Sequence, residues 1–589
     1  MSAADFRVDR MMFPSLFLDE SEWENLPEKL EDPFFEHLHE VNLRSLERMD
    51  PLDPPRERSR TLKNRVARTT VAWYLTRDER WLEMAKEALA AACRLHDLWW
   101  VTDEHVGGIR AGNLSTGEML YTVALGYDAL HPYLTDDEKR MCVDALINEG
   151  LAAYLKGIEL KDWWVKCDFN WNSALHGNAG LAAMAIRNED EELSDRVLEE
   201  AVTGLPYMID AFYPDGGYIE GIMYLGTAIG HLTDFIAPYY KFTGDDLGLL
   251  SNQAFEDTLT FRMYMWGEDG KPYNFSDISE FMRGGGLPHI FYWGRMLDRP
   301  DLTGDQDRRL ARSRGGGGLF YDIESFWYRE AFPEAEDPTF KRLRHFKGID
   351  WLTWRGDRSW LAFRSGFNGG NHDNDDLGHF ILGFDEERFL CDPGYGPRDA
   401  SQHNCITVRG FEQTDCATAR ITELEELEDG FYLKCDIQEA FPHVSEYYER
   451  HLLLTGDQHL LLIDDIMGVD DIRTTVRGHL QTRLPFEKTD EGWRIDGEQN
   501  ALRVLHLSDT GFYDQWDWEH GKEPDNVIHT LCWRDIYDRV HSVQVTLLTF
   551  GDPELECTVD DDRIVLMLDG GRHEFLREEG RLHYSGAAD

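Results

Sequence analysis

The sequence predicts two structural classes in succession: an incomplete (α/α) toroid of antiparallel helix pairs, then an antiparallel β-sandwich. Three observations predict this. Apolar residues recur at helical spacing from about residue 15 to 300, and short segments of period two fill the chain beyond about residue 345. Glycine- and proline-rich stretches at residues 314–318 and 332–338 lie between them. We therefore expect a helical domain over residues 1–335 and a sandwich domain over residues 345–589.

The helical half consists of segments in which apolar residues recur every three or four positions. Residues 66–75 and 81–92 are two such segments, and the polar turn at residues 76–78 separates them. Thr135 followed by Glu138 forms a capping box that begins another helix. Short breaks between helices indicate antiparallel neighbours. Such hairpins close into a ring whose inner helix ends form a cleft.

The second half alternates between apolar and polar residues over short runs. Residues 351–355, 360–364, 451–455 and 543–548 are examples, and Gly-Asp pairs at 356–357, 456–457 and 551–552 mark turns between strands. Many short strands separated by turns of this kind indicate an antiparallel sandwich.

Net charge excludes several classes of partner. The chain of 589 residues has 111 acidic and 60 basic side chains, a formal net charge of -51. Nucleic acids and anionic membranes require a basic face, so neither is an expected partner. An anionic substrate would need a cleft whose local potential opposes the acidic surface.

The remaining composition indicates a cytoplasmic protein. No run of eighteen apolar residues occurs, so no transmembrane helix is expected. The N-terminal segment has no apolar core followed by a small-residue cleavage site, so we expect no signal peptide. The nine cysteines form no CxxC pair, which argues against a disulfide framework or a zinc ribbon. The oligomeric state is left open.

The first stretch that carries chemistry lies before a helix of small residues. It contains Asn170, Trp171, Asn172 and His176 within seven positions. The amides are consistent with ordinary helix N-caps. They are equally consistent with a sugar-binding helix mouth, in which amides bind a carboxylate and tryptophans stack on sugar rings. Trp163 and Trp164 add further stacking faces to this second interpretation.

The second stretch runs from Tyr213 to Gly226. A Pro-Asp-Gly-Gly turn leads into a helix, and Glu220 and Tyr224 are four positions apart, so they share one helix face. A buried tyrosine on a helix is commonly structural. Tyr224 differs because it follows a glycine-rich turn near the start of its helix, where a cleft is expected.

The third stretch is rich in possible ligands. His372, Asn374 and Asp376 alternate, so they would share one face of an extended segment. Asp392 follows a strand-like run, and His403 follows a polar loop. One histidine with two or three oxygen ligands is reasonable chemistry for zinc. A hydrogen-bonded polar cluster without metal is the alternative.

These three stretches occur in the order typical of heparinase II/III-like polysaccharide lyases, and residues 60–415 resemble that family. Asn-Trp-Asn resembles its first motif, and Pro-Asp-Gly-Gly-Tyr-x-Glu-Gly-x-x-Tyr its second. His-x-x-x-Asp-x-Gly-x-Phe, Asp-Pro-Gly and Ser-x-His-Asn together resemble its third. The family combines an incomplete helical toroid with a β-sandwich, and it cleaves uronic-acid glycans by β-elimination.

The resemblance implies a role for each matching residue. Tyr224 and His372 correspond to the catalytic tyrosine and histidine, and Asn170 to the residue that neutralises the substrate carboxylate. Asn172 and His176 would assist Asn170. Asp392 and His403 correspond to ligands of a structural divalent metal, expected to be zinc. Asn374 stands where many members have a second histidine ligand, and His379 stands where a serine is usual.

The implied reaction removes a proton next to a carboxylate and expels the glycosidic oxygen. The substrate would be an anionic uronate glycan. Trp171 and Glu220 would contact it, and Arg283 and Arg364 would supply the positive charge that lowers the pKa of a tyrosine base.

Two alternatives remain at this stage. A glycoside hydrolase on an (α/α) toroid would need paired carboxylates, for which Asp168, Asp215 and Glu220 are the supply. A non-catalytic glycan-binding protein would use Trp163, Trp164 and Trp171 alone.

Overall fold

The computed structural model describes residues 10–100, 111–282, 286–312, 323–331, 333–471, 473–519, 527–536, 538–560 and 562–588. The chain divides into two compact units. The first comprises residues 1–216, 222–260 and 283–339, and the second comprises residues 217–221, 261–282 and 340–589. The second unit therefore includes two short segments that precede its strands in the sequence.

The helices of the described residues are α1 Glu20–Glu24, α2 Pro33–Leu46, α3 Ser59–Thr76, α4 Glu79–Arg94, α5 His96–Trp99, α6 Leu114–Leu130, α7 Asp136–Ala145, α8 Ala152–Leu160, α9 Asn170–Ala185, α10 Glu191–Gly204, α11 Pro206–Asp210, α12 Gly221–Thr243, α13 Gln253–Tyr264, α14 His289–Met296, α15 Pro300–Arg312 and α16 Ser325–Tyr328. The capping box at Thr135 and Glu138 is confirmed at the start of α7. None of these helices combines the length and the apolar character needed to cross a bilayer.

Helices α3, α6, α9 and α12 pack side by side and run in the same direction. Ser59 at the start of α3 contacts Ser115 at the start of α6, whereas Tyr74 near the end of α3 bonds the carbonyl of Ala129. In α9, Gly177 lies against His231 of α12 and Gly180 lies against Phe235, so these two helices also run in the same direction. The intervening helices return the chain, so this unit is the expected helical toroid.

Small residues let these parallel helices approach closely. A Cβ atom added to Gly117 of α6 would lie 2.3 Å from the carbonyl oxygen of Ala174 in α9. One added to Gly177 of α9 would lie 2.7 Å from the carbonyl oxygen of His231 in α12. Close backbone contact explains why α9 is buried over nearly its whole length.

The second unit contains four antiparallel sheets of the described residues. The first has the order β1 Leu343–Phe346, β2 Trp351–Arg355, β3 Ser359–Arg364, β5 Phe380–Phe384 and β6 Glu387–Leu390. The largest has the order β13 Phe486–Lys488, β14 Trp493–Asp496, β15 Ala501–His506, β18 His541–Thr549, β11 His459–Gly468, β10 Ser445–Thr455, β9 Gly430–Asp436, β8 Thr418–Leu427 and β4 Gly366–Phe367.

Two four-stranded sheets complete the unit. One has the order β16 Thr510–Glu519, β17 Val527–Asp535, β12 Val476–Thr482 and β7 Ile406–Val408. The other has the order β19 Leu555–Val559, β20 Arg563–Leu568, β21 Gly571–Glu578 and β22 Arg581–Ala588. Trp354, Phe380, Leu452 and Trp533, from three different sheets, share one apolar core. The predicted β-sandwich is confirmed.

Replacing Gly117 with alanine tests the close contact between α6 and α9. We expect the Gly117→Ala change to lower the free energy of unfolding by about 1–3 kcal/mol, because the new methyl group meets a backbone oxygen that cannot move aside. Denaturant unfolding measures the change.

The matched control is Gly226→Ala in α12, where an added Cβ atom has no neighbour within 4 Å. This change should leave stability unaltered or raise it by up to about 1 kcal/mol, because alanine favours the helix. Equal effects of the two substitutions would contradict the packing described here.

Candidate active site

His372 lies in a loop and is held by one residue in two ways. Its Nδ1 atom is 3.0 Å from the Oδ2 atom of Asp277, and its backbone carbonyl accepts a hydrogen bond from the Asp277 amide. Its backbone has a φ of 63°, a left-handed conformation that is uncommon outside glycine. The imidazole is one-quarter exposed. Such a fixed, partly open histidine has the character of a functional residue.

The loop before β5 is held by hydrogen bonds to Arg364. This guanidinium is fully buried and donates to Asp373 at 2.8 Å and to Asp376. The backbone of Arg364 also bonds those of Gly378 and His379. Because Arg364 draws both carboxylates inward, the segment turns instead of extending, and the predicted alternation of His372, Asn374 and Asp376 on one face is wrong.

The prediction that Arg364 binds the substrate is therefore wrong. Its side chain is inaccessible, and its charge is used inside the unit by two carboxylates. Arg283, the other predicted substrate-binding arginine, lies outside the described residues.

Glu220 is bonded to residues 368–379, the segment between β4 and β5 that contains His372 and is called the histidine loop. Its Oε1 atom accepts from the side chain of Asn371 at 2.7 Å, and its Oε2 atom accepts from the hydroxyl of Tyr218 at 2.6 Å. Both oxygens of this buried carboxylate are therefore engaged within the protein. Tyr224 follows four positions later, in the first turn of α12, and its side chain is half-buried.

Helix α9 begins at Asn170 without a capping side chain. The residue before it, Phe169, has no group that could cap the helix. The interpretation of Asn170 and Asn172 as N-caps is therefore wrong. Asn172 is buried and donates to the carbonyl of Gly204 at 3.1 Å. Asn170 is the first residue of the helix, at its N-terminal end.

His176 uses both ring nitrogens inside the helical unit. Its Nδ1 atom lies 2.7 Å from the hydroxyl of Tyr154, and its Nε2 atom lies 3.0 Å from the carbonyl of Val165. Burial lowers the pKa of His176 to about 4, although the Val165 carbonyl opposes this shift. We therefore omit His176 from the proposed catalytic set.

Three aromatic rings, those of Trp163, Phe169 and Trp171, lie at the N-terminal end of α9. Trp163 is 41% exposed and its ring centroid is 4.7 Å from that of Trp171. Phe169 stacks on Trp163 at 5.7 Å. Trp164 is fully buried and donates to the carbonyl of Ala111, so it cannot offer the stacking face that the sequence suggested.

A buried polar cluster forms where the β5–β6 hairpin opens. His379 precedes β5 and Asp392 follows β6, so the antiparallel pairing brings their side chains together. The Oδ2 atom of Asp392 lies 3.3 Å from Nε2 of His379 and 3.2 Å from Nδ1 of His403. Asp392 Oδ1 accepts from Asn274 at 3.1 Å and from the amide of Gly394 at 2.7 Å.

The two histidines differ in electrostatic state. The Asn404 amide donates to Nδ1 of His379, so the ring hydrogen of neutral His379 lies on Nε2 and faces Asp392. Burial lowers the pKa of His379 to about 4. Burial alone would lower the pKa of His403, but the Asp392 carboxylate raises it above its usual range. Burial likewise opposes ionisation of Asp392, yet the two histidines hold its pKa well below the usual value.

Unpaired buried atoms concentrate at this cluster. Asp392 Oδ2, both ring nitrogens of His403, both amide atoms of Asn374 and Asp376 Oδ2 have no hydrogen-bond partner among the described residues. Native proteins rarely leave so many buried polar atoms unpaired in one place. The ligand atoms of His379, Asp392 and His403 all lie within 4.8 Å of one another, and imidazoles with a carboxylate suit a divalent cation, so the residues fit a metal.

A second buried group of possible ligands lies in the helical unit. His289 is 3.1 Å from Asp234 and 3.2 Å from Glu324. There the Lys63 ammonium lies 3.8 Å from Glu324, and hydroxyls of two tyrosines donate to the carboxylates. Because the protein itself supplies positive charge and donors, we assign no metal to this group.

The sequence did not predict the role of Asp277, and it gave His379 no place in the polar cluster. Asp277 lies more than ninety positions before its partner, and nothing in its local sequence marks it. His379 was noted only as a departure from the family pattern. Its position directly before a strand that pairs with the strand preceding Asp392 is the signal that would have placed it.

Comparison with known proteins gives matches only among solved structures. No family model and no curated protein matches the chain. A heparinase III structure has a TM-score of 0.65 at 12% identity, over 97% of this chain and 92% of that one. Heparan sulfate lyase HepC from Pedobacter heparinus has a TM-score of 0.60 at 13% identity, over 88% of this chain and 81% of that one.

A match with a lower TM-score has the same order of a helical toroid and a β-sandwich. Chondroitin AC lyase from Streptomyces coelicolor A3, solved with chondroitin sulphate, has a TM-score of 0.56 at 12% identity, over 95% of this chain and 89% of that one. At this identity the likeness concerns the fold. The chain thus has the fold of heparinase III and related polysaccharide lyases: a helical toroid followed by an antiparallel β-sandwich.

Proposed function

We propose that this protein is a polysaccharide lyase that cleaves a uronic-acid glycan by β-elimination. The observation that carries the proposal is the His372–Asp277 pair, because it holds an accessible imidazole ready to accept a proton. The lyase fold supports it. Tyr224 and Asn170 are proposed to act on the same substrate as His372.

His372 is the proposed general base. A carboxylate can only accept hydrogen bonds, so the hydrogen between the pair lies on Nδ1 of His372. Its Nε2 atom is then the nitrogen without a hydrogen. In the proposed step, Nε2 takes the proton from the carbon next to the uronate carboxylate. Asp277 stabilises the resulting imidazolium, as carboxylates do for catalytic histidines in other enzymes.

Tyr224 is the proposed general acid. Its hydroxyl gives a proton to the glycosidic oxygen as the carbon–oxygen bond breaks and the new carbon–carbon double bond forms. The position of Tyr224 supports this role, because it lies in the first turn of α12 directly after a glycine-rich turn, with its side chain half-buried.

Asn170 is proposed to bind the substrate carboxylate, whose negative charge grows as the proton leaves. Its side-chain amide would donate, and the start of α9 would add the positive end of a helix dipole. One good donor to such developing charge contributes about 3–4 kcal/mol. Asn172 supports this helix end from within, and Trp171 with Trp163 would stack on sugar rings.

The proposed metal site uses Asp392, His403 and Asn374. A zinc ion there would cross-link the loops before β5 and after β6. It would displace any proton on His403, since metal binding requires deprotonated ligands. Nε2 of His379 lies 3.3 Å from the Oδ2 atom of Asp392, and its hydrogen would help to orient that carboxylate. The metal's proposed role is to fix the histidine loop, and no catalytic step is assigned to it.

The alternatives lose support from the same contacts. A glycoside hydrolase needs two free carboxylates, but both oxygens of Glu220 are bonded inside the protein. A non-catalytic glycan-binding protein would have no use for a histidine fixed in a left-handed conformation by a carboxylate.

Tyr224→Phe tests the proposed acid. We expect the rate of double-bond formation on a susceptible uronate glycan, followed by ultraviolet absorbance of the unsaturated product, to fall at least about 100-fold, because proton donation is lost. Tyr207→Phe, an exposed tyrosine of the same unit, is the control and should be unaffected. Undiminished activity of the Tyr224 variant would remove it from the mechanism.

Asp277→Asn tests the orientation of the base. An asparagine can donate to Nδ1 and thereby favour the wrong tautomer of His372, so kcat should fall at least about tenfold while substrate affinity stays the same. The control is Asp569→Asn, which alters a histidine–aspartate contact of equal length, 3.0 Å, elsewhere in the sandwich unit. A loss of affinity without a loss of kcat would argue against the assignment.

Metal content tests the cluster at Asp392. The purified protein should contain about one zinc ion per chain by elemental analysis, and chelation should lower its unfolding temperature. His403→Ala should abolish metal binding, whereas His443→Ala, at an exposed position, should not. If the protein has no metal and chelator leaves its unfolding unchanged, the cluster is a hydrogen-bonded network alone.

A further inference from the structure

One face of the sheet β16-β17-β12-β7 has an unusual row of side chains. Arg477 of β12 lies directly opposite Arg534 of β17, which lies directly opposite Phe512 of β16. Residues directly opposite each other share a face of the sheet. The row therefore places two arginines side by side with an aromatic ring at its end, and the Arg534 guanidinium lies 4.2 Å from the centre of that ring.

The two arginines are poorly compensated. Like charges directly opposite each other destabilise a sheet. Arg477 is exposed and has no ion pair among the described residues, and Arg534 has only a 4.0 Å contact with Asp538. Asp514 is the acidic residue on the same face of β16. The chain as a whole has a net charge of -51, so two adjacent arginines with few acidic neighbours form an unusual, locally positive surface.

Exposed aromatic rings extend the same face. Phe512 is 52% exposed and Trp516 is 40% exposed. They are four positions apart in one strand, so both point the same way and lie about 13 Å apart along it. The Trp516 ring packs against His479 of β12, which confirms its orientation. Large apolar side chains exposed together commonly mark a binding surface.

We propose that Arg477, Arg534, Phe512 and Trp516 form an accessory binding surface for an anionic glycan chain, separate from the catalytic residues. Arginines bind carboxylate or sulfate groups in a planar, two-pronged geometry, and the rings stack on the apolar faces of sugars. The choice of glycan rests on the proposed function. Nucleic acid has the same charge, so the test includes an oligonucleotide as a competitor.

The surface would retain a polymer while it is cleaved. We therefore expect it to affect long substrates and not short ones. It is not needed for the proposed elimination step, since none of its residues belongs to the histidine loop or to helices α9 and α12.

The test uses the full-length protein in affinity gel electrophoresis, with heparin, alginate and polygalacturonate as separate probes. The double variant Arg477→Ala/Arg534→Ala should bind at least one of these polymers at least about tenfold more weakly, because two charge-assisted contacts are lost. Trp516→Ala should weaken the binding of the same polymer. The control is Arg494→Ala/Arg563→Ala, which removes two exposed arginines from other strands.

The outcomes separate this surface from the catalytic proposal. If binding depends on Arg477 and Arg534 but no polymer is cleaved, the surface stands and the lyase proposal fails. If a polymer is cleaved and the double variant binds it as tightly as the wild type, the accessory surface is overturned. It is also overturned if an oligonucleotide displaces the glycan at equal concentration, or if the double variant changes only the oligomeric mass measured by light scattering.

Discussion

The buried guanidinium of Arg364 is the interaction on which the candidate site depends. It bonds Asp373 and Asp376 from inside the sandwich unit, while its backbone bonds Gly378 and His379. These contacts fold the segment after β4 into a tight loop and force His372 into a left-handed conformation beside Asp277. Removing one partner of such a buried charge group costs several kcal/mol, because the remaining charges lose their compensation. The position of the imidazole is thus a consequence of buried electrostatics.

The same principle bears on the proposed anionic substrate. Several arginines are bonded inside the protein: Arg388 bonds Asp269, Arg450 bonds Asp464, and Arg364 bonds two carboxylates. The proposed site therefore relies on dipoles and neutral donors at Asn170 and the start of α9. Such donors stabilise charge that develops during the reaction without attracting unrelated polyanions.

Local sequence patterns predict the fold well because each unit is built from regular periodicity. The helical segments around residues 66–75 and 81–92 and the strands near residues 351–364 are where they were expected. The site is less predictable, since its contacts join distant segments. Alternation suggested a shared face for His372, Asn374 and Asp376, but Arg364 overrides it. The roles of Arg364 and His176 change because burial and bonding partners are properties of the packed chain. Asp277 could be found only from the structure.

The central claim is that the glycosidic bond is broken by elimination and not by water. Mass spectrometry of products formed in water enriched in heavy oxygen tests this most directly. Elimination predicts that neither product takes up heavy oxygen during bond cleavage and that one of them is lighter than a hydrolysis product by one water molecule. Uptake of heavy oxygen at the cleaved bond, with no unsaturated product, would contradict the account.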